Sequence, residues 1–126
     1  MCLLILFIFG RGDCVCMRFE NEFQPRVIRD LEMIFPDVDN RLILKNDSGY
    51  IQGIPDLLIL YKDRWAMLEC KRSIFEPYQP NQEYYLEMAD RMSFGAMICP
   101  ENRREILDEL QRTLAPRRKT RIPKSV

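Results

Sequence analysis

The 126-residue chain reads as an α/β domain, ordered helix, three strands, helix, strand, helix (α-β-β-β-α-β-α), with a mixed central sheet flanked by helices. Three observations predict it. Apolar residues recur at three- and four-residue steps in three separate segments. Between the first two segments lie short apolar runs punctuated by turn-forming residues. A lone apolar run after the second helix completes a strand–helix–strand crossover, which makes the sheet mixed.

Residues 1–16 form an apolar extension. Its run Cys2-Leu3-Leu4-Ile5-Leu6-Phe7-Ile8-Phe9 is too short to span a bilayer as a helix. No basic residue precedes it and no small-x-small cleavage site follows, so neither a signal peptide nor membrane attachment is expected. An extra strand, an apolar patch for a partner and a start assigned too early are the readings open; Met17 looks like a natural domain start, which favours the last. The domain is expected over 17–114, followed by a basic tail over 115–126.

Phe19, Phe23, Val27, Leu31 and Ile34 place one apolar stripe on the first helix, which Pro36 stops. Pro25 is expected in the first turns, shortening or kinking the start. At ~100° per residue, Glu20 falls near the middle of the apolar stripe and Glu22 points away. A glutamate on a buried side needs a partner, which a metal or a nearby lysine would supply; alternatively Glu20 sits at a frayed helix start, where an acid is favoured. Residues 41–45 read as a strand ending in Lys45, and 46–49 as a turn. Tyr50-Ile51-Gln52-Gly53 leads to Pro55-Asp56, with Gly53 allowing close backbone approach. Leu57-Leu58-Ile59-Leu60-Tyr61 and Trp65-Ala66-Met67-Leu68 form a hairpin about Lys62-Asp63-Arg64. After Lys71 comes a loop punctuated by Pro77 and Pro80. Asn81 caps a helix over 82–92, with Tyr85, Met88, Ala89 and Met92 on one face. Residues 95–99 form a short buried strand ending at Pro100. The last helix, 101–114, packs through Ile106, Leu107, Leu110 and Leu114 until Pro116 ends it.

An apolar fraction of 47% and a charged fraction of 30% are those of an ordinary soluble domain. Net charge is zero but unevenly spread. All 19 acids precede residue 115, whereas five of the 19 basic residues follow residue 114, so the tail carries +5 and the body −5. Such a tail can reach a phosphate backbone, or can simply be solvated. Five cysteines, an odd number without metal-binding spacing, fit free thiols in a reducing cytoplasm. The chain has no histidine, which excludes His-based triads and HNH-type nuclease chemistry.

The most informative residues lie at one end of the hairpin. Antiparallel pairing brings Asp56, at the start of the first strand, beside Glu69, at the end of the second. Alternation puts Glu69 and Lys71 on one face and Cys70 on the other. Two acids and an amine at one spot suit a hard divalent cation and the water it activates.

Pro55-Asp56, twelve intervening residues and Glu69-Cys70-Lys71 resemble the signature of the PD-(D/E)xK nuclease superfamily. Gly53-Ile54-Pro55-Asp56 and the later Gln82 resemble its VRR-NUC and Holliday-junction-resolvase-like branch. The likeness covers roughly residues 18–114, nearly the whole chain. It implies a restriction-endonuclease-like core and a metal-dependent DNA endonuclease hydrolysing phosphodiester bonds, structure-specific toward branched or junction DNA. It further implies Mg²⁺ or Mn²⁺ as cofactor, held by Asp56, Glu69 and the Cys70 backbone carbonyl, with Glu20 completing the site or serving a second ion. Lys71 would orient or deprotonate the water, or stabilise charge on phosphorus. Gln82 would hydrogen-bond water or substrate. Lys45, Arg72, Arg117, Arg118 and Lys119 are the candidate DNA contacts. A homodimer acting in the cytoplasm, that of the host if phage-encoded, is expected. The alternatives are a less selective nuclease of duplex or flapped ends and a non-cleaving DNA-binding module. Tyr78, Tyr84 and Tyr85 could stack on bases or pack against the protein.

Overall fold

The element order expected from the sequence is the order observed in a computed structural model, which describes residues 16–115, with residues 16–21 as helical backbone alone. The elements are α1 (Cys16–Ile34), a 3₁₀ turn (Val38–Asn40), β1 (Arg41–Lys45), β2 (Leu57–Tyr61), β3 (Arg64–Cys70), α2 (Gln82–Met92), β4 (Gly95–Ile98) and α3 (Arg103–Leu114). The four strands form one sheet in the order β1-β2-β3-β4. β1 and β2, then β2 and β3, pair antiparallel; β3 and β4 pair parallel across the α2 crossover, giving the mixed sheet.

Alternation along the strands sorts the sheet's two faces. Leu57, Ile59, Tyr61, Ala66, Leu68 and Ile98 point to one face, where they pack with Phe23, Val27, Leu31 and Phe35 from and just after α1 and with Leu107, Leu110 and Leu114 of α3. This is the core. The opposite face receives α2, which packs over β3 and β4. A Cβ on Gly95 would lie 2.8 Å from the Asp90 nitrogen and 2.9 Å from the Ala89 Cβ, so the missing side chain lets α2 lie directly on β4.

Several boundaries differ from those expected. α1 continues through Pro25, its tenth residue, so the proline lies inside the helix rather than in its first turns. The residues on its apolar stripe, Phe23, Val27 and Leu31, are buried, and that packing offsets the lost hydrogen bond. The hairpin turn is two residues, Lys62-Asp63, because Arg64 already pairs with Tyr61. Lys62 takes the left-handed conformation this tight reversal needs (φ 56°). β4 ends at Ile98, and the Cys99 backbone N–H donates instead to Asn102 Oδ1 (2.8 Å). α3 starts at Arg103 rather than Glu101. Asn81 stands at the α2 N-cap but makes no side-chain cap bond; it contributes a left-handed backbone (φ 72°) that turns the loop into the helix.

Candidate active site

The hairpin brings Asp56 and Glu69 together as its register requires, since Leu57 pairs with Leu68. Each carboxylate accepts a backbone N–H from the other's strand end. Cys70 N donates to Asp56 Oδ2 (2.9 Å), and Asp56 N donates to Glu69 Oε1 (3.2 Å). This reciprocal lock holds the two side chains where the ladder of β2 and β3 ends. Lys71 lies two residues beyond Glu69 on the same face, and both are buried, at 4% and 3% exposure. The Lys71 ammonium sits 3.8 Å from Glu69 Oε2 and 3.9 Å from Glu76 Oε2. It donates to Gln82 Oε1 (2.8 Å) and to the Pro77 carbonyl (3.1 Å), and stands 5.7 Å from the centre of the Tyr78 ring.

Gln82 ties α2 to the hairpin. Its Nε2 donates to Glu69 Oε2 (2.9 Å), and its Oε1 accepts from Lys71 and from the Gln79 backbone N–H (2.7 Å). Both ends of the amide are thus engaged by the site itself, so Gln82 orients Glu69 and Lys71 rather than reaching into the cleft. Gly53 makes that approach possible. It adopts φ +92°, and a Cβ there would lie 2.6 Å from the Asn81 Cβ and 2.7 Å from the Pro80 carbonyl oxygen, within the loop that delivers Gln82. The expected close backbone approach at Gly53 is therefore present.

Burial governs the electrostatics. It raises the Glu69 carboxyl, and the neighbouring Asp56 charge raises it further against the pull of Lys71, to a pKa of about 7. Burial also raises Asp56, opposed first by the bond from Cys70 N and then by Lys71. The Cys70 thiol points to the core face; burial, then the two carboxylates, push its pKa up, so it stays protonated and lends no sulfur ligand.

Asp56, Cys70, Lys71, Arg72, Glu76, Phe23 and Gln24 line a cleft of about 210 Å³. At ~30 Å³ per water, that is room for a phosphate group and several waters. The half-buried Asp56 carboxyl, which lines this cleft, and the buried Glu69 carboxyl beside it fit a hard divalent cation, with the Cys70 carbonyl as a further oxygen. Among the described residues no third acid or thiolate gathers with them. Glu20, expected to complete the set, has its side chain outside the described residues.

Arg72 lies on the cleft wall, exposed, with its backbone N–H donating to Glu76 Oε1 (2.6 Å) and its Nε 3.4 Å from the same oxygen. Lys45 is exposed at the same end of the sheet, opposite Leu57. Arg117, Arg118 and Lys119 lie outside the described residues. Tyr78 stacks near Lys71, whereas Tyr84 and Tyr85 meet edge to face, 5.1 Å apart, on α2. Sequence reasoning missed Glu76, which pairs with Lys71 and Arg72. The Arg72 N–H, then Lys71 and Arg72, hold its carboxyl below the usual range. It also missed Arg26 and Arg29, which line a second hollow beside Phe23; their three-residue spacing on α1 was the available signal. Comparison of the chain with protein-family models, with curated proteins and with solved structures finds no match in any of the three.

Proposed function

We propose that this protein is a metal-dependent DNA endonuclease with a restriction-endonuclease-like core, acting on branched or junction DNA as a homodimer. The observation that carries the reading is the convergence of half-buried Asp56 with buried Glu69 and Lys71 at the end of one hairpin, with Asp56 and Lys71 lining one cleft. A surface ion pair needs no such burial, and burying Glu69 and Lys71 beside a half-buried Asp56 costs stability unless function repays it. The chain has no histidine, and the thiol beside the site, Cys70, is kept protonated by burial.

Hydrolysing a phosphodiester requires a placed water, charge neutralisation at phosphorus and help for the leaving oxygen. Asp56, Glu69 and the Cys70 carbonyl would hold Mg²⁺ or Mn²⁺. A cation bound there supplies charge neutralisation and acidifies water. Lys71, fixed by Gln82 and Pro77, keeps its ammonium group beside the carboxylates, where it can bind a phosphate oxygen and stabilise the charge that builds during attack. Arg72 on the wall, with Lys45 at the sheet end, would bind flanking phosphates. No separate sequence-reading module is present among the described elements, which favours recognition of DNA shape.

The test compares wild type with Asp56→Ala on four-way, flapped and linear DNA, with and without Mg²⁺. The proposal expects Mg²⁺-dependent cleavage by wild type, strongest on branched DNA, and a loss of about 10³-fold or more in the variant. Binding without cleavage would leave a non-cutting module. Cleavage that survives Asp56→Ala in clean preparations would place the active site elsewhere.

A further inference from the structure

We infer that Phe75 is a stacking residue that takes the face of an unpaired nucleobase next to the bond being cut. The inference rests on the nuclease reading and deepens it by naming what in the substrate is recognised. Phe75 is 87% exposed, and Ile74 beside it is also exposed. Turn positions normally carry polar residues, so two apolar side chains at a turn tip lack a packing explanation. The turn is also braced. Glu76 N donates to the Ser73 carbonyl (3.2 Å), and Phe75 N donates to Ser73 Oγ (3.2 Å). Glu76 Oε1 closes it by accepting from Arg72 N (2.6 Å).

The base of this turn belongs to the cleft. Arg72 and Glu76 form its wall, and Glu76 also faces Lys71. Phe75 immediately precedes Glu76, so its Cα lies ~3.8 Å along the chain from a residue of the cleft wall. An aromatic ring projecting into solvent from a fixed turn, beside a phosphate site, suits a base whose face is free. Paired bases inside a duplex offer no such face. A base at a branch point, flap or strand end does.

The experiment uses the full chain and Phe75→Ala and Phe75→Trp variants. Cleavage of flapped and fully paired DNA is followed with Mg²⁺. Binding is followed with Ca²⁺, using the fluorescence of 2-aminopurine placed beside the cut. Phe75→Ala is expected to lower the flap-to-duplex cleavage ratio by about tenfold, through KM more than kcat, and to abolish the stacking quench. Phe75→Trp restores both. If wild type cuts and quenches while Phe75→Ala leaves ratio and quench unchanged, the inference fails and the nuclease reading stands. If wild type neither cuts nor quenches, both fail. A changed oligomeric state with unaltered DNA affinity would assign the ring to a protein contact and overturn the inference.

Discussion

Burial of Glu69 places a carboxyl group where ionisation costs free energy, and Asp56 beside it adds to that cost. Its folded pKa, about 7, stands above its ordinary value, so the folded chain binds this proton more tightly than the unfolded chain does. The stabilisation is complete below about pH 4.5 and is lost as pH rises through about 7. In chelator, wild type should therefore lose thermal stability between pH 5 and 8, and Glu69→Gln should flatten that loss. Added Mg²⁺ should raise the wild-type Tm most at the upper end and leave the Glu69→Gln variant unmoved. Melting curves for both proteins across this range check it; parallel pH profiles would remove Glu69 as the titrating group. Asp56, Glu69 and Lys71 were legible in the sequence because strand alternation and a short turn settle which side chains meet. Glu76 was not, because its place depends on how a nine-residue loop between Lys71 and Asn81 folds back, which no local periodicity encodes.

Among the elements, α2 matters to the site through its first residue. The Gln82 amide spans Glu69 and Lys71, and its position depends on the loop before it lying against Gly53. Gly53→Ala would put a methyl group into the Pro80–Asn81 backbone at a positive φ, so both must shift. A loss of at least ~2 kcal/mol is expected, with activity falling further than stability because Gln82 moves with the loop. Gln82→Ala should lower activity by about 10- to 100-fold with the fold intact, as is typical when a residue orienting metal ligands is removed. Urea unfolding midpoints beside kcat for the two variants separate the cases: an active Gly53→Ala protein would show that the loop's seat is not required. The sequence exposed Gly53 through its place before Pro55-Asp56, and Gln82 through its place at a helix start. It misplaced Pro25, since a proline's local cost reads as a helix start, whereas the buried stripe of Phe23, Val27 and Leu31 carries the helix through it.

At the scale of the whole molecule, the two sheet faces are covered unequally. Among the described residues, α1 and α3 close one, whereas α2 covers the other over β3 and β4. Over β1 and β2 that second face is apolar, with Leu42 opposite Leu60 and Leu44 opposite Leu58, and Leu42 is 52% exposed. A half-covered antiparallel sheet ordinarily turns polar residues outward, so this surface calls for a cover. A second copy fits. The groove of about 390 Å³ at its rim holds Asp39 together with Arg41 and Lys62, so copies related by a twofold axis can set acid against base. Strand-to-strand addition at the β1 edge about Ile43 would instead oppose Arg41 to Lys45, two like charges, which favours face-to-face docking. The full chain should therefore be a dimer by light scattering. The double substitution Leu42→Asp, Leu44→Asp should make it monomeric without unfolding it, because neither leucine belongs to the core cluster. On a four-way junction, paired nicks should then give way to single nicks. A full chain already monomeric would leave this face to the apolar run of residues 2–9, and a double variant still dimeric would put the interface elsewhere.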